Sequence, residues 1–234
     1  MENNIIKILD NGYVRLVDHM GSDLTVVNSA RVSFDKESKI LDDKDIRLIN
    51  FLAKHGHTSP FRHAMLQFEC YVPLMVARQH WKYVVGSSMQ ENMVAWNEGS
   101  RRYVTEEPMF YTPSWTEWRM ATKDKKQGSD GNLAPDYGEM LSERLIQHQN
   151  NSLDLYNSAM DFGVAPEQAR LFLPAYGLYV RYYWTCSLQG VLHFLEQRLE
   201  HSAQFEIQAL AKAVDEFVRR EYPKSHEAWR NKND

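Results

Sequence analysis

The chain is poor in cysteine: Cys70 and Cys186 are the only two among 234 residues. Two thiols cannot staple a small secreted fold, so a disulfide framework is excluded and a reducing compartment is expected. Long apolar runs are missing as well, and nothing approaches the roughly 20 residues that a membrane-spanning helix requires. The opening Met1-Glu2-Asn3-Asn4 lacks the basic-then-apolar pattern of a secretory signal. The expected location is therefore the cytoplasm, with no membrane partner. Positive charge is not in excess either. Lys and Arg number 27 against 31 Asp and Glu, a net charge of −4, which speaks against a protein that coats nucleic acid. There is no internal repeat and no clean linker. What is present, 43% apolar and 25% charged residues, is ordinary globular composition. A chain of this length buries roughly 70% of its unfolded surface.

Periodicity divides the chain into elements. Gly12 to Asp18 alternates and reads as a strand. From Asp43 to Lys54, Ile46, Ile49, Leu52 and Ala53 recur at helical spacing, and Gly56 follows as a stop. Met65 to Val72 sets Leu66, Phe68, Cys70 and Val72 on one face and Gln67, Glu69 and Tyr71 on the other, a half-buried strand. Pro73 suits the first turn of a helix carrying Leu74, Met75, Val76 and Ala77. Residues 112–136 hold few aliphatics and are expected to form a long mobile loop, with the character of a lid. Tyr137 to Phe162 reads as a long helix ending at Gly163, and Pro166 opens a short one that Pro174 stops. Leu178 to Thr185 is another strand, Ser187 can cap a helix towards Glu200, and a last helix spans about Gln204 to Glu221. Strands and helices mixed irregularly predict a single α+β domain over residues 1–234.

The segment Asn97-Glu98-Gly99-Ser100-Arg101-Arg102-Tyr103 gathers an acid, a hydroxyl, two guanidinium groups and a phenol around one glycine. A glycine lets backbone approach a ligand, and paired arginines chelate an oxyanion. Such a segment suits a nucleotide phosphate, and it equally suits a solvated loop whose charges pair with one another. His55-Gly56-His57, with His63 beyond, invites a metal. No cysteine or placed acid completes a tetrahedral set, so contact with a planar ligand or phosphate is expected and no metal. Two rival readings remain: a metal-dependent hydrolase using His55, His57 and His63, and a nucleotide- or RNA-binding module using the arginines with Trp81, Trp96 and Tyr103. Cys70 lies on the apolar face of a strand, where burial silences a thiol, and Cys186 sits at a strand–helix junction; both are expected to be structural. His193 and Arg198 lie five apart on one helix and so leave it in different directions. Arg198 precedes a helix break, from which it can aim at a pocket or pair with Glu200 or His201 at the surface. Arg170, between Ala169 and Leu171, is equally ambiguous.

Taken in order, several segments resemble the flavin-dependent thymidylate synthases along nearly the whole chain. Asp18-His19-Met20-Gly21-Ser22-Asp23 with Ala30-Arg31-Val32-Ser33-Phe34 is similar to the family's N-terminal portion. His55-Gly56-His57-Thr58-Ser59-Pro60-Phe61 resembles its His-Gly-His-x-Thr-Pro-Phe turn. Ala77-Arg78-Gln79 and Asn97 to Tyr103 resemble the two ends of its signature segment. Ala169 to Pro174, Phe194 to Arg198, and Ser202 to Gln208 resemble its C-terminal half. One stretch departs. Lys82-Tyr83-Val84 stands where the family carries Arg-His-Arg, residues 85–93 lengthen the spacer that follows, and Arg62 replaces a usual glutamate.

The resemblance implies a sheet flanked by helices, assembled as a homotetramer with sites between chains. It implies reductive methylation of dUMP to dTMP, with methylenetetrahydrofolate as carbon donor, FAD as hydride carrier and NADPH as reductant. Matched positions for the nucleotide are Arg78, Gln79, Glu98, Gly99, Ser100, Arg101, Arg102, Arg170 and Arg198, of which Arg198 is the implied catalytic residue. Those for the cofactor are His57, Ser59, Lys82, Glu98, Ser187, Gln189 and His193, the last three aligned with polar flavin-contacting positions without being identical to them. The longer spacer, with Gly86, Ser87, Ser88, Gln90 and Asn92, is expected to line the site in place of the missing triplet.

Overall fold

Side chains that alternate at period two build the centre of the molecule. The computed structural model describes residues 4–85, 95–100, 107–123 and 128–233. In chain order come β1 (Ile5–Ile8), β2 (Gly12–Met20), α1 (Asp23–Arg31), α2 (Asp43–Lys54), β3 (Met65–Pro73), α3 (Leu74–Val85) and β4 (Ala95–Glu98). Then follow β5 (Arg119–Ala121), β6 (Ser129–Asn132), α4 (Pro135–Asp161), α5 (Pro166–Ala169), β7 (Tyr179–Ser187), α6 (Leu188–Arg198), α7 (Phe205–Glu221) and α8 (Pro223–Arg230). Among the described residues, five strands pair antiparallel in the order β1-β2-β3-β7-β4.

One face of this sheet is apolar. Val14 and Leu16, Leu66, Phe68, Cys70 and Val72, and Tyr182, Trp184 and Cys186 join one buried core with α1, α2, α3, α6, α7 and α8. The opposite face is polar. There Glu69 accepts from Tyr13 Oη at 2.5 Å and pairs with Arg15. Burial alone would raise the Glu69 pKa, but the hydrogen bonds from Tyr13 and Arg15 more than offset it and the net shift is downward. A second, smaller cluster joins Tyr156 and Ala159 of α4 to Ala169, Leu173 and Leu178.

The single α+β domain stands as the sequence predicts, and α2 keeps its predicted bounds. Gly56 ends α2 at φ +66°, with His57 N donating to Leu52 O at 2.9 Å. Three local expectations change. Pro73 closes β3 opposite Tyr179, so α3 begins one residue later. Asn97 and Glu98 lie on an edge strand rather than in a loop. Within residues 112–136, β5 and β6 pair as a ribbon, and Trp118 Nε1 donates to Ser142 Oγ of α4 at 2.8 Å. The ribbon and this anchor give the described part of the expected loop a defined fold.

Candidate active site

Three helices and the edge strand bring part of the predicted nucleotide set together. On α3, Gln79 and Lys82 are three apart and share a face, with Arg78 exposed beside them. His80, the next residue, is fully buried in a box of aromatic rings: Trp96 at 5.2 Å, Trp184 at 4.4 Å and Phe194 at 4.5 Å between centroids. Arg198 lies four residues beyond Phe194, on the same side of α6, and so on the side that meets α3. It is the last residue of α6, where the helix dipole favours a cation, and the predicted break follows it. Gln204, just before α7, accepts from Gln79 Nε2 at 2.8 Å.

Glu98 joins this group through strand register. It stands opposite Tyr182, so its side chain leaves the sheet on the helix-covered face. Trp96, two residues earlier, stacks on the Tyr182 ring at 4.0 Å and meets Trp81 of α3 at 5.1 Å. Partial burial raises the Glu98 pKa, and a hydrogen bond from Trp96 opposes that shift without cancelling it. Gly99 N donates to Arg181 O at 2.8 Å, and a Cβ at Gly99 would meet that oxygen at 3.4 Å. The close backbone approach expected there thus falls on the neighbouring strand.

The predicted cofactor set runs along the other end of α6. Ser187 caps the helix by accepting from Gly190 N at 3.1 Å. The turn bearing His57 and Ser59 is fastened beside it by Leu188 N donating to Ala64 O at 2.8 Å. His57 itself is exposed, its ring 5.7 Å from Phe51 and 6.5 Å from His55. Gln189 is only 1% exposed, and both its amide atoms are buried without a partner. One donor and one acceptor held together suit the edge of a planar heteroaromatic ring. His193, four residues on and so on the same face, has its pKa lowered, chiefly by burial. Along α6, His193 stands five residues, roughly 7.5 Å, before Arg198 and Gln189 nine residues, roughly 13.5 Å.

Other predicted residues are not gathered. Arg170 is exposed beside the second cluster, and its Nε donates to Glu167 O at 3.2 Å. Arg101, Arg102 and the spacer after Val85 lie outside the described residues. Among the described residues, no three His, Cys, Asp or Glu are grouped so that they could hold a metal ion. Both cysteines are buried, and burial pushes the Cys70 thiol up to about 12. His80, Gln204 and Glu206 carry no signal of their own in the sequence; the last two stand out only within the resemblance.

A family model described as thymidylate synthase complementing protein matches residues 15–224. The chain is 36% identical over 224 residues to a flavin-dependent thymidylate synthase of Thermotoga neapolitana, covering 96% of this chain and 93% of that one. Another of that description, from Thermus thermophilus, is 37% identical over 93% of this chain and 75% of its own length. Among solved structures, the UMP/dUMP methylase PolB of Streptomyces cacaoi, bound with 5-Br dUMP, superposes with a TM-score of 0.81. It is 27% identical, over 96% of this chain and 97% of that one.

Proposed function

The chain belongs to the flavin-dependent thymidylate synthase family, and we propose that it converts dUMP to dTMP with methylenetetrahydrofolate, FAD and NADPH. The observation that carries this reading is that α3, α6 and β4 bear Gln79, Arg198 and Glu98 on elements packed together on the helix-covered side of the sheet, in a chain whose two thiols are buried. Burial pushes the Cys70 thiol up to about 12, a poor nucleophile at neutral pH, which supports activation of the pyrimidine by charge rather than by covalent addition.

Arg198 sets its planar guanidinium against the N3 and carbonyl edge of the ring and stabilises the negative charge that makes C5 attack the methylene carbon. Arg101, Arg102 and Arg170 would neutralise the phosphate, together with Ser100 and Arg78. The carbon arrives as methylene and leaves as methyl, which takes one hydride. When bound, FAD would supply that hydride and NADPH would restore it, while C5 gives up its proton and the folate leaves as tetrahydrofolate. Gln189, His193, Ser187, His57 and Ser59 would hold the cofactor, with Lys82 and Glu98 towards the nucleotide. The unpartnered amide of Gln189 supports this fit.

The exposed Arg170 and the separation of the two groups support a homotetramer in which copies complete one another's sites. Phe162 at 87% exposure and Leu171 at 82% give such copies an apolar surface to bury. Two buried cysteines that form no disulfide support a cytoplasmic location. The absorbance spectrum tests the reading. Purified protein supplied with FAD should retain it through desalting and bleach with NADPH under anaerobic conditions. Protein that takes up no FAD would overturn the assignment.

A further inference from the structure

Glu206 lies buried in the first turn of α7, and its charge sets the direction of a row of amides that leads to Gln79. A carboxylate paired with a guanidinium only accepts hydrogen bonds. Arg119 Nη2, from the ribbon strand β5, donates to Glu206 Oε1 at 2.6 Å, and the Tyr111 hydroxyl lies 3.4 Å from the same oxygen. The other oxygen accepts from Gln204 Nε2 at 2.8 Å. With its amino group so committed, Gln204 must turn its carbonyl the other way, where it accepts from Gln79 Nε2 at 2.8 Å. Gln79 is oriented in its turn. Its amino group faces Gln204, and its Oε1 is buried without a partner.

An amide's two ends have the same shape, so only the network decides which faces the site. Here an acceptor-only group at the far end decides it. A buried carbonyl without a donor is destabilising, and native interiors seldom keep one. We propose that Glu206, acting through Gln204, is a positioning residue that fixes Gln79 as a hydrogen-bond acceptor for the nucleotide. This rests on reading the site as a dUMP site. The acceptor selects an N–H or hydroxyl of the nucleoside part, because a phosphate dianion offers no hydrogen to it. The same carboxylate holds Arg119, so the ribbon and the nucleotide site share one buried anchor.

Titration calorimetry of FAD-loaded protein with dUMP, and separately with inorganic phosphate, tests the proposal in wild type, Glu206→Gln, Gln79→Ala and the double variant. Glutamine at 206 can donate or accept, so it no longer fixes the direction of the row. Each single variant should weaken dUMP binding about tenfold and leave phosphate binding within about twofold. The double variant should bind dUMP no more weakly than Gln79→Ala, because the effect of Glu206 passes through Gln79. Additive losses, or dUMP binding by Glu206→Gln within twofold of wild type, would overturn the proposal. If Glu206→Gln does not fold, Gln204→Met enters the same cycle with the same expectations. Wild type that binds no dUMP would instead overturn the reading of the site itself.

Discussion

Arg198 ends a helix, half-buried, on the side that meets Gln79, and its proposed work is on the nucleotide ring rather than on the flavin. Arg198→Ala should therefore lower kcat by about 10²–10³ while FAD retention stays near that of wild type. Lys should rescue it poorly, since a point charge does not reproduce a planar two-pronged contact. Turnover of Arg198→Ala within about threefold of wild type would remove the residue from the chemistry. His80 makes a different prediction. Burial lowers its pKa to about 3, so the folded state holds it neutral while the unfolded chain protonates below about 6.5. Protons then favour unfolding, and this stability is present above pH 6.5 and lost as the pH falls towards 3. From pH 7 to pH 5 the group should cost about 2 kcal/mol of unfolding free energy. His80→Gln should show a shallower decline over that interval in urea denaturation. An unchanged slope would contradict the burial argument. The sequence disclosed the silence of Cys70 through strand alternation. It could not disclose His80, which periodicity treats like any helical residue and only three-dimensional packing encloses.

Elements were legible where a periodic pattern ran long enough to be read. α2 and β3 carry several apolar positions each, and their registers appear nearly unchanged. α1 has only Val26 and Val27 on its apolar buried side, too few to set a period. Its one local sign is the capping box of Ser22 with Thr25. β4 is four residues at an edge, defined by pairing with β7 rather than by its own alternation. Residues 112–136 look featureless in sequence, and the described part is held by contact with α4. Gly138 marks that contact: a Cβ there would sit 1.9 Å from Trp115 O. Gly138→Ala should push the segment around Trp115 away from α4 and cost roughly 1–3 kcal/mol, the range of overpacking. Denaturant midpoints check this, and a Gly138→Ala variant as stable as wild type would show that the segment is not held against the helix.

At the scale of the molecule, low thiol content, acidic balance and missing apolar runs excluded whole classes of protein. Ordered motifs then pointed to one family, and a match over residues 15–224 agrees with them. Assembly was less legible. Arg170 and His57 are exposed within one chain, and which copies meet depends on surfaces that carry no periodic signal. Lys82-Tyr83-Val84 and the longer spacer set this chain apart from the family pattern, yet Gln79 still meets Gln204. In the proposed reaction the reducing hydride comes from NADPH through the flavin and not from the folate. Mass spectrometry of both products tests it most directly, with FAD-loaded protein given dUMP, methylenetetrahydrofolate and NADPH under anaerobic conditions. The proposed reaction should give dTMP and tetrahydrofolate in equal amounts, with one NADPH consumed for each, and no dTMP when FAD is withheld. Formation of dTMP with dihydrofolate, or without flavin, would contradict it.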